Sequence, residues 1–118
     1  MIEAKENIIV SKSIRFSLLV IKYCEALEKE RKFVIANQLL KSGTSIGANV
    51  FEAQHSESKA DFIHKMKIAM KEVNETSYWL TLCEQSDNYP PVAELKQELD
   101  SIFKITSKII ASSKNSLK

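Results

Sequence analysis

Turn-forming residues are nearly absent from this chain. Two glycines and two prolines are spread over 118 residues. A sandwich or barrel needs many tight turns, and those turns draw on glycine and proline. The scarcity excludes an all-β fold and leaves long helices. Hydrophobic residues make up 44% and charged residues 27%, which is too apolar for a disordered chain. The length fits a single domain over residues 1–118.

Apolar periodicity divides the chain into four helices. The first is predicted from about Lys5 to Lys29. Ile9, Phe16, Val20, Tyr23 and Leu27 share one face, and Val10, Ile14, Leu18, Ile21 and Cys24 fill the adjoining one. The apolar arc is wider than the stripe of about 100° that packing on one core requires. The surplus predicts cover from a second direction. The Glu28–Lys32 charge run marks a turn. A second helix follows from about Lys32 to Gln54, its core arc running from Phe33 through Leu39, Gly43, Ile46 and Gly47 to Phe51.

Gly43 and Gly47 are one turn apart on that arc. Glycine costs about 1 kcal/mol against alanine inside a helix. Two on one face predict close approach by a neighbour; the alternative is a break at Ser42-Gly43-Thr44. Ser58 with Asp61 has capping-box spacing for a third helix, which extends to about Ser86. Phe62, Met66, Ala69, Val73, Ser77 and Leu80 mark its core face. After Asp87–Pro91 a fourth helix starts near Pro91, with Val92, Leu95, Leu99, Ile102, Thr106 and Ile109 inward and Phe103 and Ile110 beside them. Four amphipathic helices with short connections predict an all-α, antiparallel up-down-up-down four-helix bundle.

The second helix is unusual in its charge. Between Phe33 and Phe51 only Lys41 is charged, where the chain's average would place about five. Opposite the glycines Gln38, Ser42, Ser45, Asn49 and Glu52 form a stripe. A solvent face would carry Lys and Glu; neutral hydrogen-bonding side chains and charge depletion mark a covered surface. This stripe, joined to Ile14, Leu18 and Ile21 of the first helix, is the expected oligomer interface. The plainer alternative is an exposed polar helix.

Catalytic chemistry is not visible. The sequence has no Cys-x-x-Cys, His-x-x-x-His or glycine-rich phosphate loop. His55 and His64 are nine residues apart. Glu52, Glu72 and Glu75 lack the Glu-x-x-His partner of a di-metal bundle. The expectation is a non-enzyme with no metal or cofactor. Cys24 and Cys83 read as reduced, buried thiols of a cytoplasmic protein. The polar N-terminus is no signal peptide, and no apolar run spans a bilayer.

Basic side chains recur in two stripes. One is Lys12, Arg15 and Lys22 on the first helix. The other is His64, Lys67 and Lys71, with Tyr78, on the third. Cations interleaved with an aromatic suit a phosphate backbone and a stacked base; the plainer reading is the wet face of an amphipathic helix. The net charge of +2 does not by itself argue for nucleic acid. Residues 101–118 carry Lys104, Lys108, Lys114 and Lys118 without an acid, read as a solvated tail. Trp79 lies off the core arc, as a bundle-edge cap or a contact anchor.

The segment Gln38-Leu-Leu-Lys-Ser-Gly-Thr-Ser-Ile-Gly-Ala-Asn-Val-Phe-Glu-Ala53 resembles the signature of the bacterial four-helix bundle family, also called the 23S rRNA intervening-sequence proteins. Ser58–Ala69, Lys71–Thr76 and Tyr78-Trp79-Leu80 continue the match. The resemblance implies a barrel-like homopentamer, encoded within intervening sequences of large-subunit rRNA genes. A related branch, the accessory variability proteins of diversity-generating retroelements, implies RNA or DNA and a reverse transcriptase as partners. The family's motif positions fall on Gln38, Ser42, Ser45, Asn49, Glu52 and Glu75, and Lys41 stands where arginine is frequent. The function expected is a homo-oligomeric nucleic-acid-binding accessory protein. The alternative is a protein-interaction scaffold presenting Trp79 and the acidic 84–100 region.

Overall fold

The computed structural model describes residues 4–116. Lys118 of the basic tail lies outside them. Four α-helices follow in order: α1 over Ala4–Lys29, α2 over Phe33–Ala53, α3 over Lys59–Gln85 and α4 over Ala93–Asn115. The helices match the apolar periodicities closely. Most boundaries shift by a single residue. α2 begins at Phe33 because Lys32 is non-helical (φ −92°, ψ 60°). α4 begins at Ala93, so Pro91 precedes the helix instead of opening it.

Local chemistry explains the ends. Ser58 Oγ accepts from the Asp61 amide at 3.0 Å, and Asp61 Oδ2 accepts from the Glu57 amide at 3.2 Å. This reciprocal cap satisfies amides that the first helical turn leaves free. The Lys65 ammonium 3.1 Å from Asp61, with the Glu57 amide, holds the Asp61 carboxyl below its ordinary range. After α1 the backbone turns left-handed at Arg31 (φ 62°), and the Lys32 amide donates to the Leu27 carbonyl at 2.9 Å. That bond closes α1 and reverses the chain within three residues. Asn88 is also left-handed (φ 64°), in the connection between α3 and α4.

The helices form a square. α1 packs on α2 and α4, and α3 packs on the same two; the diagonal pairs make no close backbone approach. All four sides are antiparallel. Gly47 lies against Ser13 and Ser17, and Gly43 against Val20. Thr76 meets Ser42, Lys96 meets Glu84, and Arg15 meets Glu98. The body measures 50 × 21 × 21 Å. Phe16, Val20, Leu39, Ile46, Met66, Leu80 and Ile102 fill the axis and are fully buried. Each such side chain stabilises the fold by roughly 1.5–3 kcal/mol.

α2 runs unbroken through both glycines, neither of which has positive φ. Their role is steric. A Cβ on Gly43 would sit 2.9 Å from both methyls of Val20, and one on Gly47 would sit 3.3 Å from Ser17 Oγ. The close approach predicted from the sequence is that of α1.

Three inward assignments are corrected. Phe33 and Phe51, on the predicted core arc of α2, are exposed; Ser77, on the predicted core face of α3, is exposed while its neighbour Thr76 is buried. In each case an apolar or small side chain at helical spacing sits one step past the inward face.

Gly43→Ala is expected to destabilise the protein by about 1 kcal/mol. Overpacking against the stiff, buried Val20 costs about 1–3 kcal/mol and outweighs a helix-propensity gain of about 1 kcal/mol. Gly47→Ala meets a rotatable serine hydroxyl and is expected to be near neutral. Urea unfolding measures both; a stabilised Gly43→Ala protein would contradict the close α1–α2 contact.

Candidate functional site

The polar stripe of α2 is divided by the tertiary structure. Ser42 is only 1% exposed and faces α3. Its hydroxyl shares a 3.0 Å hydrogen bond with that of Thr76, which donates to the Glu72 carbonyl at 2.7 Å. The Ser42 hydroxyl also lies 3.5 Å from the Leu39 carbonyl of its own helix. Ser42 is thus a core residue of one chain, a correction to its expected place on an intersubunit surface. Gln38 and Glu52 are exposed and Ser45 and Asn49 half-buried. Ser45 Oγ donates to the Lys41 carbonyl at 2.6 Å, and Asn49 Nδ2 donates to the Ser45 carbonyl at 2.8 Å. Their polarity is satisfied within the helix.

The surplus apolar face of α1 is uncovered in the single chain. Ile14, Leu18 and Ile21 are exposed, Leu18 at 61%. On the helical wheel they flank the side of α1 that meets α2. Phe33 and Phe51, the latter 53% exposed, flank the side of α2 that meets α1. The glycine contacts draw the two helices together, so these side chains form one apolar edge along the bundle. A large exposed apolar patch on a soluble protein marks an interaction surface. The polar stripe lies on the other flank of α2, beside α3. The two covered surfaces expected from the sequence are therefore different faces.

The two basic stripes do not converge. α1 and α3 are diagonal in the square. On α1, Arg15 sits 3.7 Å from a Glu98 oxygen and 4.0 Å from a Glu94 oxygen. Lys22 shares a shallow groove with Glu94, and Lys12 is half-buried. This stripe is balanced by α4 carboxylates. On α3, His64, Lys67, Lys71 and Tyr78 all lie exposed on the outer face. Among the described residues neither Lys67 nor Lys71 is within ion-pair distance of a carboxylate. α4 adds Lys114, whose ammonium is pushed below its ordinary pKa by neighbouring Lys67. The sequence predicts Lys114 in a solvated tail; it is exposed, near the end of α4. Its nearness to Lys67, 47 positions away in the sequence, depends on the antiparallel α3–α4 register and has no local signal.

Trp79 Nε1 donates to Glu75 Oε2 at 3.1 Å, and the ring stands edge-on to Tyr78 at 5.1 Å. Trp79 is half-buried against the core. It fixes the exposed Tyr78 ring at the end of the α3 stripe.

Cys24, Cys83 and Tyr23 are buried and Glu72 is half-buried. Burial and the neighbouring Cys83 push the Cys24 thiol up to about 12, and burial raises that of Cys83. Tyr23 between them is raised by burial and donates to the Pro90 carbonyl at 2.8 Å. Such thiols are poor nucleophiles. Partial burial, then Glu75, raises the Glu72 carboxyl. Among the described residues no three His, Cys, Asp or Glu side chains cluster as metal ligands, so Glu52, Glu72 and Glu75 do not converge. No described helix is long and apolar enough to cross a membrane.

Comparison with known proteins adds two findings. A family model described as 23S rRNA-intervening sequence protein matches residues 5–111. The crystal structure of a protein of unknown function from the S23 ribosomal protein family of Bacteroides thetaiotaomicron is similar, with 39% identity and a TM-score of 0.87. The alignment covers 91% of this chain and 98% of that one. No curated protein matches.

The Ser42–Thr76 pair yields an asymmetric expectation. Ser42→Ala leaves Thr76 bonded to its own helix and should cost about 1 kcal/mol. Thr76→Val leaves the buried Ser42 hydroxyl only the long 3.5 Å contact to the Leu39 carbonyl and should cost about 1–3 kcal/mol. The double variant should cost less than the sum in urea unfolding; strict additivity would mean that the two hydroxyls do not interact.

Proposed function

The chain belongs to the 23S rRNA-intervening sequence protein family, and on that premise we propose that it is a non-enzymatic accessory protein that assembles with copies of itself and binds RNA or DNA. The observation that carries this reading is the division of the bundle surface. The α1–α2 edge is apolar and open, whereas the outer face of α3 bears cations without carboxylate partners among the described residues. Assembly through the first leaves the second facing outward.

The proposed assembly is a ring of about five chains, the number the family resemblance implies. Ile14, Leu18 and Ile21 form its contact, with Phe33 and Phe51. Gln38, Ser45, Asn49 and Glu52 border the neighbouring face. His64, Lys67 and Lys71 form the proposed nucleic-acid stripe, extended by Lys114, and repetition around a ring strengthens its field. Lys12, Arg15 and Lys22 take a smaller part because Glu94 and Glu98 already face two of them. A second reading, a scaffold for a protein such as a reverse transcriptase, draws on this neutralised α1–α4 side and the small net charge.

Size exclusion with light scattering and two-wavelength absorbance at low salt tests the assembly. The expected mass is about five chains, falling to one in Leu18→Glu with helicity retained; a monomeric wild type would overturn it. For binding, Lys67→Glu with Lys71→Glu should weaken a labelled RNA strand. It should also flatten the slope of log affinity against log salt by roughly 0.7–0.9 per lost contact. An unchanged slope removes these lysines from the site. Partners that survive nuclease treatment of a lysate favour the scaffold.

A further inference from the structure

We propose that the groove between α3 and α4 seats an unpaired base of single-stranded RNA or DNA; this rests on the nucleic-acid reading above. α1 and α2 close on each other through glycine. α3 and α4 have none, and meet through larger side chains. A groove of about 320 Å³ opens between them. Its floor is Val73 and Leu99, both buried. Its wall is Phe103, which is 42% exposed and is the only large apolar side chain that α4 exposes among the described residues. Its rim holds Asn74, Ser77 and Asp100.

This chemistry suits a flat aromatic ligand with polar edges. Phe103 offers a ring face for stacking. Asn74 and Ser77 donate and accept hydrogen bonds, while the Asp100 carboxylate, 3.0 Å from Lys104, accepts from amino groups of a base. Charge selects an anionic carrier for that ligand. Lys71 lies one turn of α3 before Asn74, about 4.5 Å of helix rise, and Lys67 one turn further. Lys114 stands across from Lys67 on α4. Cations along one helix beside an aromatic-walled groove are the arrangement by which proteins track a single-stranded backbone and stack its bases. A duplex presents no free base to a groove of this kind. The groove lies on the side of the square opposite the apolar α1–α2 edge.

The test is a titration of the intact protein with fluorescein-labelled strands of mixed sequence, about 20 nucleotides long to exceed one site. Single-stranded RNA, single-stranded DNA and the corresponding duplex are compared for wild type, Phe103→Ala, Phe103→Tyr and Asn74→Ala. Wild type should prefer single strands. Phe103→Ala should lose about tenfold on them, with the salt slope and duplex binding unchanged, because no cation is removed. Phe103→Tyr should restore most of the loss. Asn74→Ala, an exposed rim change, should weaken single strands alone and serves if Phe103→Ala fails to fold. Equal loss on duplex and single strand, or no loss in either variant, overturns the groove assignment while leaving nucleic-acid binding intact. Wild-type protein that binds none of the three overturns the underlying reading itself. A difference between the RNA and DNA arms identifies which strand supplies the base.

Discussion

The contact between α1 and α2 at Gly43 and Gly47 governs the shape of the whole molecule. With no Cβ at either position, Val20, Ser13 and Ser17 come within van der Waals reach of the α2 backbone. Ile14, Leu18, Ile21, Phe33 and Phe51 lie on the outward flanks of that contact and stay exposed. The glycine contacts bring the two flanks side by side, which joins these side chains into one apolar edge.

The opposite side is different. No glycine lies in α3 or α4, and a groove opens between them. The surface thus carries an apolar edge on one side and a grooved, cationic face on the other. Under the proposed reading the first is for copies of the chain and the second for nucleic acid, with the bundle core keeping them apart.

Charge is arranged by tertiary contact as well. Arg15 and Lys67 look alike in the sequence, each on a basic stripe of an amphipathic helix. α4 brings Glu94 and Glu98 to the first and Lys114 to the second. A carboxylate neighbour removes the attraction for a phosphate, and an ammonium neighbour strengthens it. The near-neutral total conceals this polarity.

The four helices, their antiparallel order and most of the core were legible in the sequence. Apolar spacing of 3 and 4 residues is a local property, and few breakers interrupt it. The glycine pair also announced a close neighbour, since two internal glycines on one helical face cost helix stability and fit a close approach. What the sequence left undetermined are the edges of each apolar arc. Periodicity places Phe51 and Ile46 on one arc, but only the approach angle of α1 and α3 decides that Ile46 is buried and Phe51 is not. Ser42 likewise belongs to a uniform polar stripe until α3 supplies Thr76 as its partner. The pairing of Lys67 with Lys114, and of Phe103 with the α3 rim, joins residues from separate helices. Their juxtaposition follows from helix register, which is set by packing across the core, and no local pattern encodes it.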